Sequence, residues 1–289
     1  MASQLADYEI TSSVLEDGTT PCLRARRPAR LGGDGAPVTI WILGPLARTP
    51  WTVARARLEP VASVRSGYLP EWLEAGVTEW SDRPVIWVSA STPVTGTLAA
   101  PPPDMGMPAR LRSIAAAARG AHLLHEQGQL HAAICPQAVA LVTRDQGAGG
   151  ASFAPAGTGG MAGNAGADAV LAPPSLANGE HPLAQVGYPP LAFMDPQLLR
   201  GEGGRWSDIW ALGATVQHIV AGTTPFPGIE EVPVVQALSR LLMTPAPVIG
   251  DMPGPVADVV TACLSIDPTN RPATAMEVAD RLDESAAKW

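Results

Sequence analysis

The 289 residues are 46% apolar and 16% charged, enough apolar surface for one large two-layered domain or two modest lobes, which excludes a peptide-like or disordered chain. A formal net charge of −8 argues against nucleic acid or an anionic membrane surface as a partner, because both are met by clustered Lys and Arg. Every basic side chain is Arg except Lys288, so chemistry that needs a lysine inside a folded site is excluded too.

Up to about Ser89 the chain reads as strand-like runs separated by turn chemistry: YEITSSVLEDG, CLRARRP, APVTIWIL at 36–43 and RPVIWVS at 83–89. One helix-compatible stretch, 50–65, interrupts them. From Pro108, PARLRSIAAAARGAHLLHEQG sets Ala, Leu and Arg at helical spacing and predicts a helix. Residues 145–187 are dominated by Gly, Ala and Pro with little periodicity and read as a long loop. Four helices follow. The first runs from Ser207, opened by a capping Ser-Asp pair, to about Ala221 with Gly222 as its stop; the others cover 231–243, 254–265 and 274–287. Thr274 and Glu277 form a capping box at the start of the last.

Cys22, Cys135 and Cys263 lie far apart and show no C-x-x-C spacing, so neither a disulfide framework nor a zinc site is expected, and a reducing, cytoplasmic compartment fits best. No apolar window is long enough for a membrane helix, and MASQLADYEITSS lacks the basic-then-apolar pattern of a secretion signal. The expected architecture is α+β and bilobal. A small β-rich lobe over 1–90 would hold a five-stranded sheet and one helix, and a larger helical lobe would cover 91–289.

In this order the features resemble a bacterial Ser/Thr protein kinase domain from end to end, and the specific matches lie mostly in the helical lobe. SDIWALGATVQHIVAGTTPFPG at 207–228 resembles the kinase S-D-I/V-W-S-L-G segment that ends in P-F. LSIDPTNRPATAMEVADRL resembles L-x-x-D-P-x-x-R-P-T-A-x-E. GYPPLAFMDPQLLRGE stands where kinases have G-Y-M-A-P-E-Q-L-x-G-E, and LHEQGQLHAAICPQAVALV where they have L-H-x-x-G-I-V-H-R-D-I-K-P-x-N-I-L-L.

At the matched positions the groups that phosphoryl transfer requires are missing. The catalytic Asp, Lys and Asn positions carry Ala133, Cys135 and Ala138. The strand lysine position carries Trp41, whose indole cannot neutralise phosphate. The three glycines of the phosphate loop fall on Leu15, Asp17 and Thr20, and Asp17 would repel a phosphate. D-F-G is absent, its best register being Pro155, Ala156, Gly157, without a carboxylate for magnesium. The helix glutamate position falls on Arg57, with Glu59 as the other register. The resemblance therefore implies a pseudokinase with no catalytic residue, no metal and no ATP or magnesium as cofactor.

Scaffold positions persist. Asp208 stands where kinases hold the catalytic-loop backbone; Arg271 stands where an Arg pairs with the A-P-E glutamate, here matched to Gln197, which would leave an ordinary hydrogen bond. His131 and Pro136 remain in the loop, His131 as a structural group. A scaffold without chemistry suits a binding surface, for which threonines are natural phosphoacceptors: Thr274 as N-cap beside Arg271, then Thr269 and Thr158. Thr223 and Thr224 sit in a segment expected to be packed.

The Ala-, Gly-, Pro- and Arg-rich composition further resembles the cytoplasmic pseudokinase domain of mycobacterial MurJ-type lipid II flippases. That resemblance implies an intracellular domain tethered to the inner membrane through its parent protein. It would be phosphorylated by an active receptor-type Ser/Thr kinase and bound on phosphothreonine by a forkhead-associated (FHA) protein that regulates peptidoglycan synthesis. A nucleotide or small-ligand sensor and an atypical active kinase are the alternatives.

Overall fold

The computed structural model describes residues 4–15, 22–32, 35–45, 50–142, 168–174, 191–229, 231–243, 247 and 249–289. Strands β1 (Gln4–Leu5), β2 (Tyr8–Leu15), β3 (Cys22–Arg26), β4 (Pro37–Pro45), β5 (Trp72–Trp80) and β6 (Arg83–Ala90) form an antiparallel sheet ordered β1-β2-β3-β4-β6-β5. Because side chains alternate along a strand, each apolar run serves two faces. Leu23, Ala25, Val38, Ile40, Ile42, Val85 and Trp87 are buried on one face with Leu5 and Tyr8. Cys22, Trp41, Ile86, Val88 and Ala90 are buried on the other, against helix α1 (Trp51–Ala62) through Ala54, Leu58 and Val61. Burial on both faces is why APVTIWIL and RPVIWVS read as almost continuous apolar runs.

Beyond β6 the chain builds a second sheet, β7 (Val94–Thr97), β8 (Val139–Val142) and β9 (Asp168–Leu171), in the order β7-β8-β9. Helices α2 (Met107–Glu126), α3 (Pro196–Leu199), α4 (Arg205–Ala221), α5 (Val234–Met243), α6 (Gly254–Cys263) and α7 (Ala275–Ala287) make up the rest. Two helix glycines mark close approaches between elements. A Cβ on Gly120 of α2 would stand 2.8 Å from Tyr68 O and 2.9 Å from Leu171 Cβ, and one on Gly213 of α4 would stand 2.4 Å from Cys263 Cβ. A single apolar cluster runs from Cys22, Trp41 and Leu58 through Val94 and Leu98 to Leu111, Ile134, Leu212 and Leu282. This cluster continues across the expected boundary at residue 90, while a second one, around Leu5, Tyr8 and Trp87, stays within the first sheet.

Four expectations need correction. The first sheet has six strands, not five, the sixth being the two-residue β1 at its edge. The strand-like runs quoted above also omit β5, where Glu74, Gly76 and Glu79 interrupt the apolar pattern on a half-exposed edge strand. The stretch 145–187, read as a loop throughout, contains β9, whose Ala169, Val170 and Leu171 are all buried and so carry no alternation. Helix α4 starts at Arg205 after Gly204, so Ser207 is inside the first turn: its Oγ accepts the Gly204 N–H at 3.4 Å and donates to Asp195 at 2.9 Å. The left-handed Gly222 (φ 69°) closes that helix where it was placed. Among the described residues no helix is long and apolar enough to cross a membrane.

Candidate functional site

The loop 131–138 is built around one carboxylate. Asp208, in the first turn of α4 and buried, accepts the backbone N–H of His131 at 2.9 Å and of Ala132 at 2.8 Å, and the Nε2–H of His125 at 2.8 Å. Burial works against its charge, but the bond to His125, the neighbouring imidazoles and the backbone N–H of His131 hold its pKa below the usual carboxylate value. These bonds offset a strained backbone, since Ala132 has φ 58°, a left-handed conformation that costs a non-glycine residue about 1 kcal/mol. His131 is fully buried. Its Nδ1 accepts the Ala133 N–H at 3.3 Å and its Nε2 faces Ala172 O at 3.1 Å, a pairing that requires the neutral Nε2–H tautomer. Burial lowers its pKa, ahead of the opposing pull of Asp208. Ala133, Cys135 and Ala138 are buried apolar groups beside it. Both ring nitrogens of His131 are thus engaged within the fold, and Cys135 is buried.

One assignment moves. Arg271 does not pair with Gln197. Its guanidinium forms a buried ion pair with Asp195, at 2.7 Å and 3.3 Å to the two carboxylate oxygens, donates to Ser265 O and Trp206 O, and lies 4.9 Å over the Trp210 ring. Gln197 Nε2 donates instead to Ile266 O at 2.8 Å. A carboxylate two residues upstream wins over a neutral amide because both groups are buried and a charge-assisted bond is about twice as strong. Asp195 also caps α3, accepting the Gln197 N–H at 3.1 Å; the Asp-Pro pair that opens α3 was the signal in the sequence. Pro155–Gly157 lie outside the described residues, and the segment that runs beside the loop is the one after β9, with Ala172 N donating to Ala138 O at 2.9 Å. Ala172, Pro173 and Pro174 offer no carboxylate either. Among the described residues no group of three His, Cys, Asp or Glu could hold a metal ion.

In the N-terminal part Trp41 is buried in the apolar cluster, opposite Cys22 on β3 and Val88 on β6. Burial raises the Cys22 thiol to about 12 and the Cys263 thiol likewise, so neither supplies a thiolate. Leu15 ends β2, while Asp17 and Thr20 lie outside the described residues. On α1, Arg57 is half-buried and Glu59 is exposed, paired with Arg55 at 2.6 Å one turn away. The structure therefore gathers His131, Ala133, Cys135 and Ala138 in one loop held by Asp208 of α4, with Trp41 in the same apolar cluster and Glu59 exposed on α1.

Of the threonines, Thr274 caps α7 as expected, its Oγ1 accepting the Glu277 N–H at 3.2 Å; the Glu277 carboxylate reaches Ala273 N at 3.0 Å. It is half-buried between exposed Ala273 and buried Ala275, and Arg271 is committed to Asp195. Thr269 is exposed on the turn Pro268–Asn270, with its hydroxyl donating to Asp267 at 2.7 Å. Thr158 lies outside the described residues, and Thr223 and Thr224 are half-buried. Sequence reasoning missed Asp195 and His125. Neither a scan against protein-family models nor a search of curated proteins returns a match for this chain.

Proposed function

We propose that this chain is a catalytically inactive, kinase-like domain that works as a phosphothreonine-dependent scaffold. An active receptor-type Ser/Thr kinase modifies it, an FHA-domain protein binds the modified turn, and the pair regulates peptidoglycan synthesis from the inner face of the membrane. The parent protein would be a MurJ-type lipid II flippase that supplies the membrane tether. The observation that carries the reading is the contrast within one loop: Asp208 still organises the backbone of residues 131–132, while Ala133, Cys135 and Ala138 fill the reactive positions with buried apolar atoms. Such a scaffold can bind but cannot orient a hydroxyl for transfer.

Within this proposal the acceptor is the segment 266–274. Thr269 is the more accessible group, on a turn whose neighbours Ile266, Asp267 and Asn270 are also exposed. Thr274 becomes accessible only when the cap of α7 opens, because its oxygen is engaged by Glu277 N. The test is phosphosite mapping by mass spectrometry after incubation with an active actinobacterial Ser/Thr kinase, followed by capture on an FHA domain. One stoichiometric phosphothreonine in 266–274 that captures the reader, and loss of capture in the matching Thr→Ala variant, is the expected result. Equal capture of modified and unmodified protein overturns it.

A further inference from the structure

The backbone that joins the two sheets is clasped by side chains of the first one. Residues 91–93 lead from β6 to β7. Thr39, fully buried on β4, donates its hydroxyl to Thr92 O at 2.8 Å and accepts the Val94 N–H at 3.0 Å. Arg24 on β3 spreads over the next two carbonyls, Nε to Val94 O at 3.0 Å and Nη2 to Thr95 O at 2.6 Å. From the other flank Ser91 N donates to Glu71 O at 2.9 Å, and Glu71 N to Thr92 Oγ1 at 2.9 Å. Trp41 shares the strand face of Thr39 and continues the contact with apolar packing.

A second tie stands apart from this connector. Leu171 N on β9 donates to Tyr68 O at 3.0 Å, and Gly120 of α2 lies so close to that carbonyl that a methyl group would not fit. The Arg119 guanidinium lies 5.8 Å over the Tyr68 ring and pairs with Asp280 at 3.0 Å and Asp283 at 2.9 Å on α7. Two halves joined at one crossing can swing about it. Two separated attachments leave only rotation about the line that joins them, and the apolar cluster packed across both halves opposes that rotation.

We propose that the Arg24–Thr39 clasp and the Tyr68 tie hold the sheet-rich and helical halves in one fixed arrangement, so that the chain presents a single preformed surface without any ligand to draw the halves together. Interdomain motion is the default where an interface is small and polar; here a continuous apolar cluster and directed bonds to the connector itself oppose it. The proposal is independent of phosphorylation.

Spin labels at Glu9→Cys and Asp258→Cys, both exposed positions in opposite halves, report the arrangement by double electron–electron resonance, since the three native cysteines are buried. One narrow distance distribution is expected in this otherwise unaltered protein, and a broad or two-peaked one overturns the proposal. Thr39→Val removes both Thr39 bonds at nearly constant volume. It should speed hydrogen exchange at the Val94 amide about fivefold, while amides of α4 keep their rate. Combined with Arg24→Ala it should broaden the label distance. An unchanged Val94 rate in Thr39→Val refutes the clasp even if the double variant fails to fold.

Discussion

Replacing Asp195 by Asn separates the pairing seen in the structure from the one that the sequence register implies. The carboxylate is fully buried and each oxygen accepts two bonds: Oδ1 from Gln197 N and Arg271 Nη2, Oδ2 from Ser207 Oγ and Arg271 Nη1. An amide of the same shape puts an NH2 group against one of these donors and leaves the Arg271 charge without a counter-ion. Removing one partner of a buried ion pair costs about 3–5 kcal/mol, a large share of the roughly 5–15 kcal/mol that holds a domain folded. Trp206 O, Ser265 O and the Trp210 ring still contact the guanidinium, which favours the lower end of that range. The melting temperature should fall by about 10 °C, and the urea midpoint should move with an unchanged slope. Gln197→Ala removes one bond to Ile266 O at an exposed site and should cost about 1 kcal/mol or less. The double variant Asp195→Asn, Arg271→Met should cost less than the sum of the two singles, since no charge is then stranded. If Asp195→Asn lies within about 1 kcal/mol of the parent while Gln197→Ala is the more damaging, the buried-pair reasoning is wrong.

Other outcomes can be checked with the same melts. Trp41→Ala leaves a large void in the shared core and should destabilise by about 3–5 kcal/mol; millimolar ATP with magnesium should leave the parent's melting temperature unchanged, whereas a ligand at a hundredfold excess over its Kd would add about 2.7 kcal/mol. Gly213→Ala gains helix propensity of about 1 kcal/mol, yet it must move α4 from α6 to relieve a 2.4 Å approach, so a net loss of about 1–3 kcal/mol is expected by urea unfolding. For His131 the folded pKa is depressed, so the unfolded chain binds the extra proton first: the stability it contributes is complete above the ordinary histidine value of 6.5 and declines as pH falls below it. His131→Gln should flatten that part of the stability-pH curve, by up to about 1.4 kcal/mol per pH unit, and an unaltered slope would assign the effect elsewhere.

Patterns carried by neighbouring residues were legible in the sequence. The strands β2, β3, β4 and β6, the helices α1, α2, α4 and α7, the glycine stop at 222 and the Thr274 cap follow from periodicity and capping chemistry that act within one or two turns. That Trp41, Ala133, Cys135 and Ala138 carry no ionised carboxylate or ammonium group needs only residue identity. What tertiary structure decided is pairing across distance. Arg271 finds Asp195 instead of Gln197 because burial makes charge compensation outweigh a shift of two residues, and a separation of 76 positions along the chain hides that competition from any local pattern. The strand β9 forms because β8 offers its edge and the core takes Ala169, Val170 and Leu171 on every side, which erases the alternation that would have announced it. Arg24 and Thr39 look like ordinary strand residues in the sequence, and only the folded position of residues 92–95 turns them into a clasp.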